Sequence, residues 1–294
     1  MISRKARNRK KVISFVMRLV ALIKPGSLSH FQIKVMRKLV LFASFRRPNV
    51  HDVVVKKISL DQLELYRIIP NKISDKVKIL FFHGGGFFVG NFKIYRRYTS
   101  FLAEILGREI IFVEYKLSPE SKYPSQLEDA KKAYSFLLGK KEKSNIILAG
   151  DSAGGNLALA SFLRIKSEGL PIPGCGALLS PVTDWTGQTI TSTEMRDYSM
   201  VNAGLYAGDW PLDTPEISPL HGDLNGLPPL LIQYAKGEFL QEDSTQLDIR
   251  ARKAGVHVEL REFDEAFHVF QIFTNLPESH EALAEIGAFY RKHI

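Results

Sequence analysis

The chain has 294 residues, of which 45 % are hydrophobic, 11 % aromatic and 24 % charged, with a single cysteine. These figures exclude low-complexity disorder, a disulfide scaffold and a Cys-rich zinc module, and no apolar run reaches the roughly 18 residues of a membrane span. The net charge of +9 is unevenly placed. Residues 1–50 hold 13 Lys or Arg and no acid, leaving 27 of the 40 basic side chains against all 31 acidic ones in the remainder. A mildly acidic body therefore carries a basic N-terminal arm, an asymmetry that points to an anionic surface.

The arm opens with Arg4, Lys5, Arg7, Arg9, Lys10 and Lys11, in the manner of a signal-peptide n-region. Arg18 interrupts the apolar stretch that follows, and no clear small-residue cleavage site comes after it, so a cytoplasmic chain is expected ahead of a secreted one. Val12, Phe15, Val16, Leu19, Val20 and Ile23 recur at helical spacing, and Lys24-Pro25-Gly26-Ser27 breaks that helix. A second helix is expected from Leu28 to about Phe45. It places Leu28, Phe31, Val35, Leu39 and Phe42 on one face and Lys34, Arg37 and Lys38 on another. A stripe of this width is ordinary for a packed surface helix, so residues 1–50 are read first as cap helices burying their stripes on the body. The rival reading is a membrane-associated arm, residues 1–45 lying on an anionic lipid surface. Nucleic acid is not expected as a partner, because the arm holds no recognisable module of interleaved aromatics.

From residue 51 the pattern becomes that of one α/β body, residues 51–294. Val53–Ile58 and Leu63–Ile69 read as a strand pair, Val77–Phe82 as a buried strand, Tyr95–Leu106 as a helix and Ile110–Tyr115 as a strand. Helices follow at Leu127–Leu138 and Ala153–Lys166, with a strand at Asn145–Gly150 between them. Later strands are expected at Cys175–Leu179, Leu230–Tyr234 and Val256–Glu262, and later helices at Gln241–Ala254 and Glu278–His293. Alternating strands and helices imply a mostly parallel central sheet with helices on both faces. Residues 184–219, rich in Gly, Thr and Pro, read as a loop or cap insertion.

Two stretches carry chemistry. Gly150-Asp151-Ser152-Ala153-Gly154-Gly155 contains G-x-S-x-G between a strand and a helix, where a sharp turn exposes the serine and the glycines relieve crowding. His83-Gly84-Gly85-Gly86 follows directly on another strand, and consecutive glycines let backbone N–H groups face a developing oxyanion. Each alone also fits an ordinary glycine turn; two at strand ends argue together for acyl transfer.

With Tyr115-Lys116-Leu117-Ser118-Pro119-Glu120, Ser180-Pro181, Glu238-Phe239-Leu240 and Phe267-His268-Val269-Phe270, these stretches resemble the hormone-sensitive-lipase-like branch of the α/β-hydrolase superfamily. That branch contains bacterial carboxylesterases and arylacetamide-deacetylase-type enzymes. The resemblance spans roughly residues 50–290. It implies an α/β-hydrolase fold with an N-terminal helical cap, a small-molecule ester substrate, no cofactor and no metal. It also implies a serine esterase acting on short- to medium-chain carboxylic esters, and a homodimer is common among similar enzymes. Ser152 matches the nucleophile and His268 the base. Glu238 stands thirty residues before the histidine, where the family usually carries Asp; Asp243, Glu242 and Asp264 remain alternatives. Gly84, Gly85 and Ala153 match the oxyanion hole, with Gly86 given a structural part and His83 fixing the loop. His51, His221, His257, His280 and His293 are read as solvated or structural imidazoles. Lys116 departs from the family's usual Arg. Two other functions stay open: a membrane-surface lipase or deacetylase for lipid-like esters, and a non-catalytic receptor on the same fold.

Overall fold

The computed structural model describes residues 3, 30–45, 52–139, 145–190, 195, 199, 203–264 and 266–294. The expected helix Val12–Ile23 lies outside these residues. In chain order the elements are α1 (His30–Phe45), β1 (Val53–Leu60), β2 (Leu63–Pro70), β3 (Lys78–Phe82), α2 (Phe92–Leu106), β4 (Glu109–Glu114), α3 (Ser125–Leu138), β5 (Ile146–Asp151), α4 (Ala153–Ser167), β6 (Cys175–Leu179), β7 (Leu230–Ala235), α5 (Gln241–Lys253), β8 (Val258–Phe263) and α6 (Pro277–His293). Every strand and helix expected between residues 53 and 294 is present, most within three residues of its expected ends. The region 184–219 is not wholly irregular, since residues 203–207 are helical.

The eight strands form one sheet in the order β1-β2-β4-β3-β5-β6-β7-β8. β1 pairs antiparallel with β2, and β2 antiparallel with β4, while β3 to β8 run parallel. From β3 the chain first moves to β4 on one side and then returns to β5 on the other. The crevice at the carboxyl ends of β3 and β5 is therefore a topological switch point, where open α/β sheets place their ligands.

Strand alternation feeds two cores. Leu80 and Phe82 of β3 join Leu148, Leu178 and Ile232 under α3, α4 and α5. Ile79 and Phe81 point the other way, with Ile147, Ala177 and Leu231, under α2 and α6. Both faces are covered, so the central strands β3, β5, β6 and β7 are buried along nearly their whole length rather than alternating, while the edge strand β8 carries exposed polar residues. Lys116 pairs with the nearly buried Asp129, Nζ to Oδ1 at 2.9 Å, while its own N–H donates to the other oxygen. The Lys-for-Arg departure thus falls in a structural ion pair.

Helix α1 docks by a different face from the one expected. Ile33 is fully buried, whereas Phe31, Val35 and Leu39 are 75 %, 39 % and 64 % exposed. The inward side instead carries Arg37, whose guanidinium donates from Nε to the Phe88 carbonyl at 2.6 Å and from Nη2 to the Ser118 carbonyl at 2.7 Å. It also forks onto Glu120, with both bonds at 2.9 Å. Satisfying these carbonyls fixes the helix rotation and turns the apolar stripe outward. No described helix is long and apolar enough to cross a membrane.

Candidate active site

The serine turn joins β5 to α4. Ser152 has φ 52° and ψ −118°, a region that side-chain-bearing residues rarely occupy and that costs about 1–3 kcal/mol. Its N–H donates to the Leu179 carbonyl at 2.8 Å and its carbonyl accepts from Val182 at 3.2 Å, so neighbouring strand β6 holds the conformation. Gly154 can only be glycine: a Cβ there would run into the Phe82 carbonyl of β3. Helix α4 can therefore start directly against the sheet, with the serine hydroxyl lifted over the strand ends.

His268 lies on the loop after β8. Its Nε2 sits 3.1 Å from Ser152 Oγ, and its Nδ1 sits 3.3 Å from Glu238 Oε2. A carboxylate can only accept, so the proton belongs on Nδ1 and the Nε2 lone pair faces the serine. Glu238 follows β7 and its side chain is only 1 % exposed. The alternatives are spent elsewhere. Asp243 is buried and takes N–H groups from Thr183 and Asp184 and hydroxyls from Thr183 and Thr189. Asp264 is exposed and pairs with Lys236, and Glu242 accepts from Thr245.

Ser180 has a part at the site that its Ser-Pro motif does not reveal. Its hydroxyl donates to Glu238 Oε2 at 3.0 Å and accepts the Val269 N–H at 3.4 Å. It therefore orients the carboxylate and holds the chain beside the histidine.

The glycine loop needs a correction. Gly84 does not offer its N–H to the pocket, because that group donates to Asp151 Oδ1 at 3.0 Å and lies 3.1 Å from Tyr95 Oη. Tyr95 in turn donates to Asp151 Oδ2 at 2.7 Å. Burial pushes the Asp151 carboxyl up to about 6, against the hydrogen bonds from Tyr95 and Gly84 that favour its charge. Gly85 and Gly86, at φ 113° and 62°, line the cavity beside Ser152. The Ala153 N–H opens α4 and is not needed by the helix. With Gly84 engaged, Gly85 and Gly86, which line the cavity, and Ala153, the first residue of α4, are the candidate N–H donors beside the serine. His83 is wholly buried and its Nδ1 donates to the Gly84 carbonyl at 2.8 Å. Desolvation pulls its pKa down to about 4, so it is a neutral brace for the loop.

The cavity over Ser152 measures about 330 Å³ and is walled by Met36, Val40, Phe88, Trp185, Phe239 and Phe273 among others. Phe88 and Trp185 bring aromatic rings to this wall. Phe87 and Tyr206 stack on each other at 3.9 Å in the core, and Trp210 is 52 % exposed. A nucleophile, a base with an oriented tautomer and N–H donors around one apolar cavity are together competent for acyl transfer.

Comparison with known proteins agrees. A protein-family profile described as alpha/beta hydrolase fold matches residues 79–272. An acetyl-hydrolase of Streptomyces hygroscopicus is 37 % identical over 224 residues, covering 72 % of this chain and 75 % of the relative. An esterase of Acinetobacter venetianus is 35 % identical over 223 residues, 72 % and 73 % of the two chains. The crystal structure of an esterase from the bacterial hormone-sensitive lipase family superposes with a TM-score of 0.85 at 31 % identity, over 100 % of both chains. The chain belongs to the α/β-hydrolase family, in its bacterial hormone-sensitive-lipase-like branch, and is a serine esterase that hydrolyses carboxylic esters.

Proposed function

We propose that the enzyme cleaves short- to medium-chain carboxylic esters through an acyl-enzyme on Ser152. What supports this reading above all is the run Ser152, His268, Glu238 opening into a cavity of about 330 Å³, close to the small end of the roughly 300–1,000 Å³ typical of ligand pockets. Ser152 Oγ bonds to the acyl carbon as its proton passes to His268 Nε2. The carbonyl oxygen, now negative, takes hydrogen bonds from Gly85, Gly86 and Ala153. The carbon–oxygen bond to the alcohol then breaks, and the same proton leaves with the alcohol. Water repeats the sequence on the acyl-enzyme and returns the free acid. Glu238 keeps the proton on Nδ1 and balances the imidazolium. Helix α1 acts as a cap, supplying Met36 and Val40 to the cavity wall, and Trp185 and Ser199 from the expected insertion 184–219 join them there.

The test is hydrolysis of p-nitrophenyl esters from acetate to palmitate. Activity should peak at short chains, fall roughly 10⁶-fold in Ser152→Ala and roughly 10⁴-fold in Glu238→Gln. Activity confined to palmitate overturns the chain-length assignment, and activity that survives Ser152→Ala overturns the mechanism.

A second reading, of where the enzyme works, is favoured by α1. The exposed Phe31, Val35 and Leu39 share a helix with exposed Lys34 and Lys38, within a 50-residue segment that holds no acid. An apolar stripe flanked by lysines suits an anionic lipid surface. Salt-sensitive co-sedimentation with anionic vesicles, lost in Phe31→Ser/Leu39→Ser, is the expected result; equal binding by both proteins sinks this reading.

A further inference from the structure

We propose that His257, Glu259 and His293 form a binding site for a zinc-class divalent cation, at the opposite end of the sheet from Ser152. His257 immediately precedes β8, and Glu259 is its second residue. Residues two apart on an extended strand point the same way, so imidazole and carboxylate share a face. His293, at the end of α6, brings the third group, its ring 4.8 Å from that of His257. The donor atoms of all three lie within 4.8 Å of one another. Each imidazole Nε2 is 3.7 Å from Glu259 Oε1, beyond hydrogen-bond reach. His293 Nε2 is moreover buried with no hydrogen-bond partner, a ring nitrogen aimed into the cluster and left unused.

Zinc holds nitrogen and oxygen ligands at about 2.0–2.2 Å in a tetrahedron, which places donors about 3.3 Å apart. Each imidazole therefore needs to close on the carboxylate by only a few tenths of an ångström. The larger adjustment falls to His257, which is 49 % exposed and free to rotate. Two imidazoles and a carboxylate select zinc over magnesium or calcium, which prefer all-oxygen shells. The exposed side of the cluster leaves the fourth position to water. Two cations compete for the carboxylate. Lys292 Nζ lies 2.7 Å from Glu259 Oε1, and Arg261 lies 3.2 Å from Oε2. Lys292 is 59 % exposed and can swing into solvent as the metal takes its place. Arg261 can keep the second oxygen and so orient the ligating carboxylate.

The position makes this a fastening rather than a catalytic centre. The cluster ties the start of the outermost strand to the last turn of α6. The esterase residues stand at the other ends of the parallel strands, where His268 follows β8. Zinc should therefore raise stability without entering the ester cavity.

The experiment uses the full chain without a histidine tag, stripped with a chelator and titrated with zinc chloride by calorimetry. The wild type should take up one equivalent of zinc and no magnesium. His257→Gln and His293→Gln should each lose that equivalent, and His257→Gln should keep its rate on p-nitrophenyl butyrate. At a hundredfold excess of zinc over Kd, the wild-type thermal midpoint should rise by about 4 °C, and that of His257→Gln should not move. If His293→Gln fails to fold, the half-exposed His257→Gln alone decides. No zinc uptake by the wild type, or uptake that persists in His257→Gln, overturns the site.

Discussion

Replacing Arg37 with Ala should loosen the cap while leaving the catalytic residues in place. The side chain makes two charge-assisted bonds to backbone carbonyls, at 2.6 Å to Phe88 and 2.7 Å to Ser118, and is 24 % exposed. Bonds of this kind contribute about 1.5–3 kcal/mol each, and partial exposure argues for the lower end. The fork onto Glu120, itself 46 % exposed, adds less than about 1 kcal/mol. The docking of α1 should therefore weaken by about 3–4 kcal/mol, or roughly 10²- to 10³-fold in its opening equilibrium. Met36 and Val40 on the same helix wall the ester cavity, so opening should raise KM. The turnover of bound ester should change much less, because Ser152, His268 and Glu238 stand on other elements. Hydrogen exchange of the α1 amides, together with KM and kcat on p-nitrophenyl butyrate, checks both halves. Arg37→Lys keeps the charge but not the fork and should fall between the two proteins. Unchanged α1 exchange in Arg37→Ala, or a loss confined to kcat, refutes the reasoning.

Two further outcomes are expected. Burial raises the Glu114 carboxyl to about 7, against an ordinary value of 4.5. The folded chain thus keeps this proton between pH 4.5 and 7 while the unfolded chain releases it, so raising pH through that window costs stability. Glu114→Gln removes the cost, and its advantage over wild type in urea unfolding should grow by on the order of 3 kcal/mol from pH 4.5 to 7 and then level off; a constant difference would remove Glu114 from the account. Ser152→Gly relieves the strained turn, so it should unfold at higher denaturant than the equally inactive Ser152→Ala, by about 1 kcal/mol after the added chain entropy of glycine. Equal midpoints would mean the turn is not strained.

The residues that meet at the candidate site, Ser152, His268 and Glu238, are legible because they sit in local patterns. Ser152 lies between a strand and a helix, and Glu238 and His268 follow strands at family spacing. The elements of residues 53–294 were legible for the same reason, since each strand and helix announces itself within a dozen residues. What was not legible depends on partners distant in the chain. Which glycine N–H groups of the loop are engaged is decided by Asp151 and Tyr95, which claim the N–H of Gly84. The rotation of α1 is decided by Arg37 finding two backbone carbonyls, groups that every residue carries and that no pattern distinguishes. The apolar spacing of Phe31, Val35 and Leu39 suggested a buried face and says nothing of that competition. His257 and His293 look ordinary because they are 36 positions apart and meet only when the end of α6 reaches the start of β8.

The crossing of main chain on main chain beneath Ser152 bears on how this enzyme could be re-engineered. A Cβ on Gly84 would strike Asp151, one on Gly150 would strike the Gly154 carbonyl, and one on Gly154 would strike the Phe82 carbonyl. The seat of the reaction is thus poured from backbone, and side-chain libraries have no purchase there except to destroy it. Met36, Val40, Phe88 and Phe273 line the same cavity with large apolar residues. Substrate range should therefore be tunable at the rim in single steps, with the reaction centre carried along unaltered.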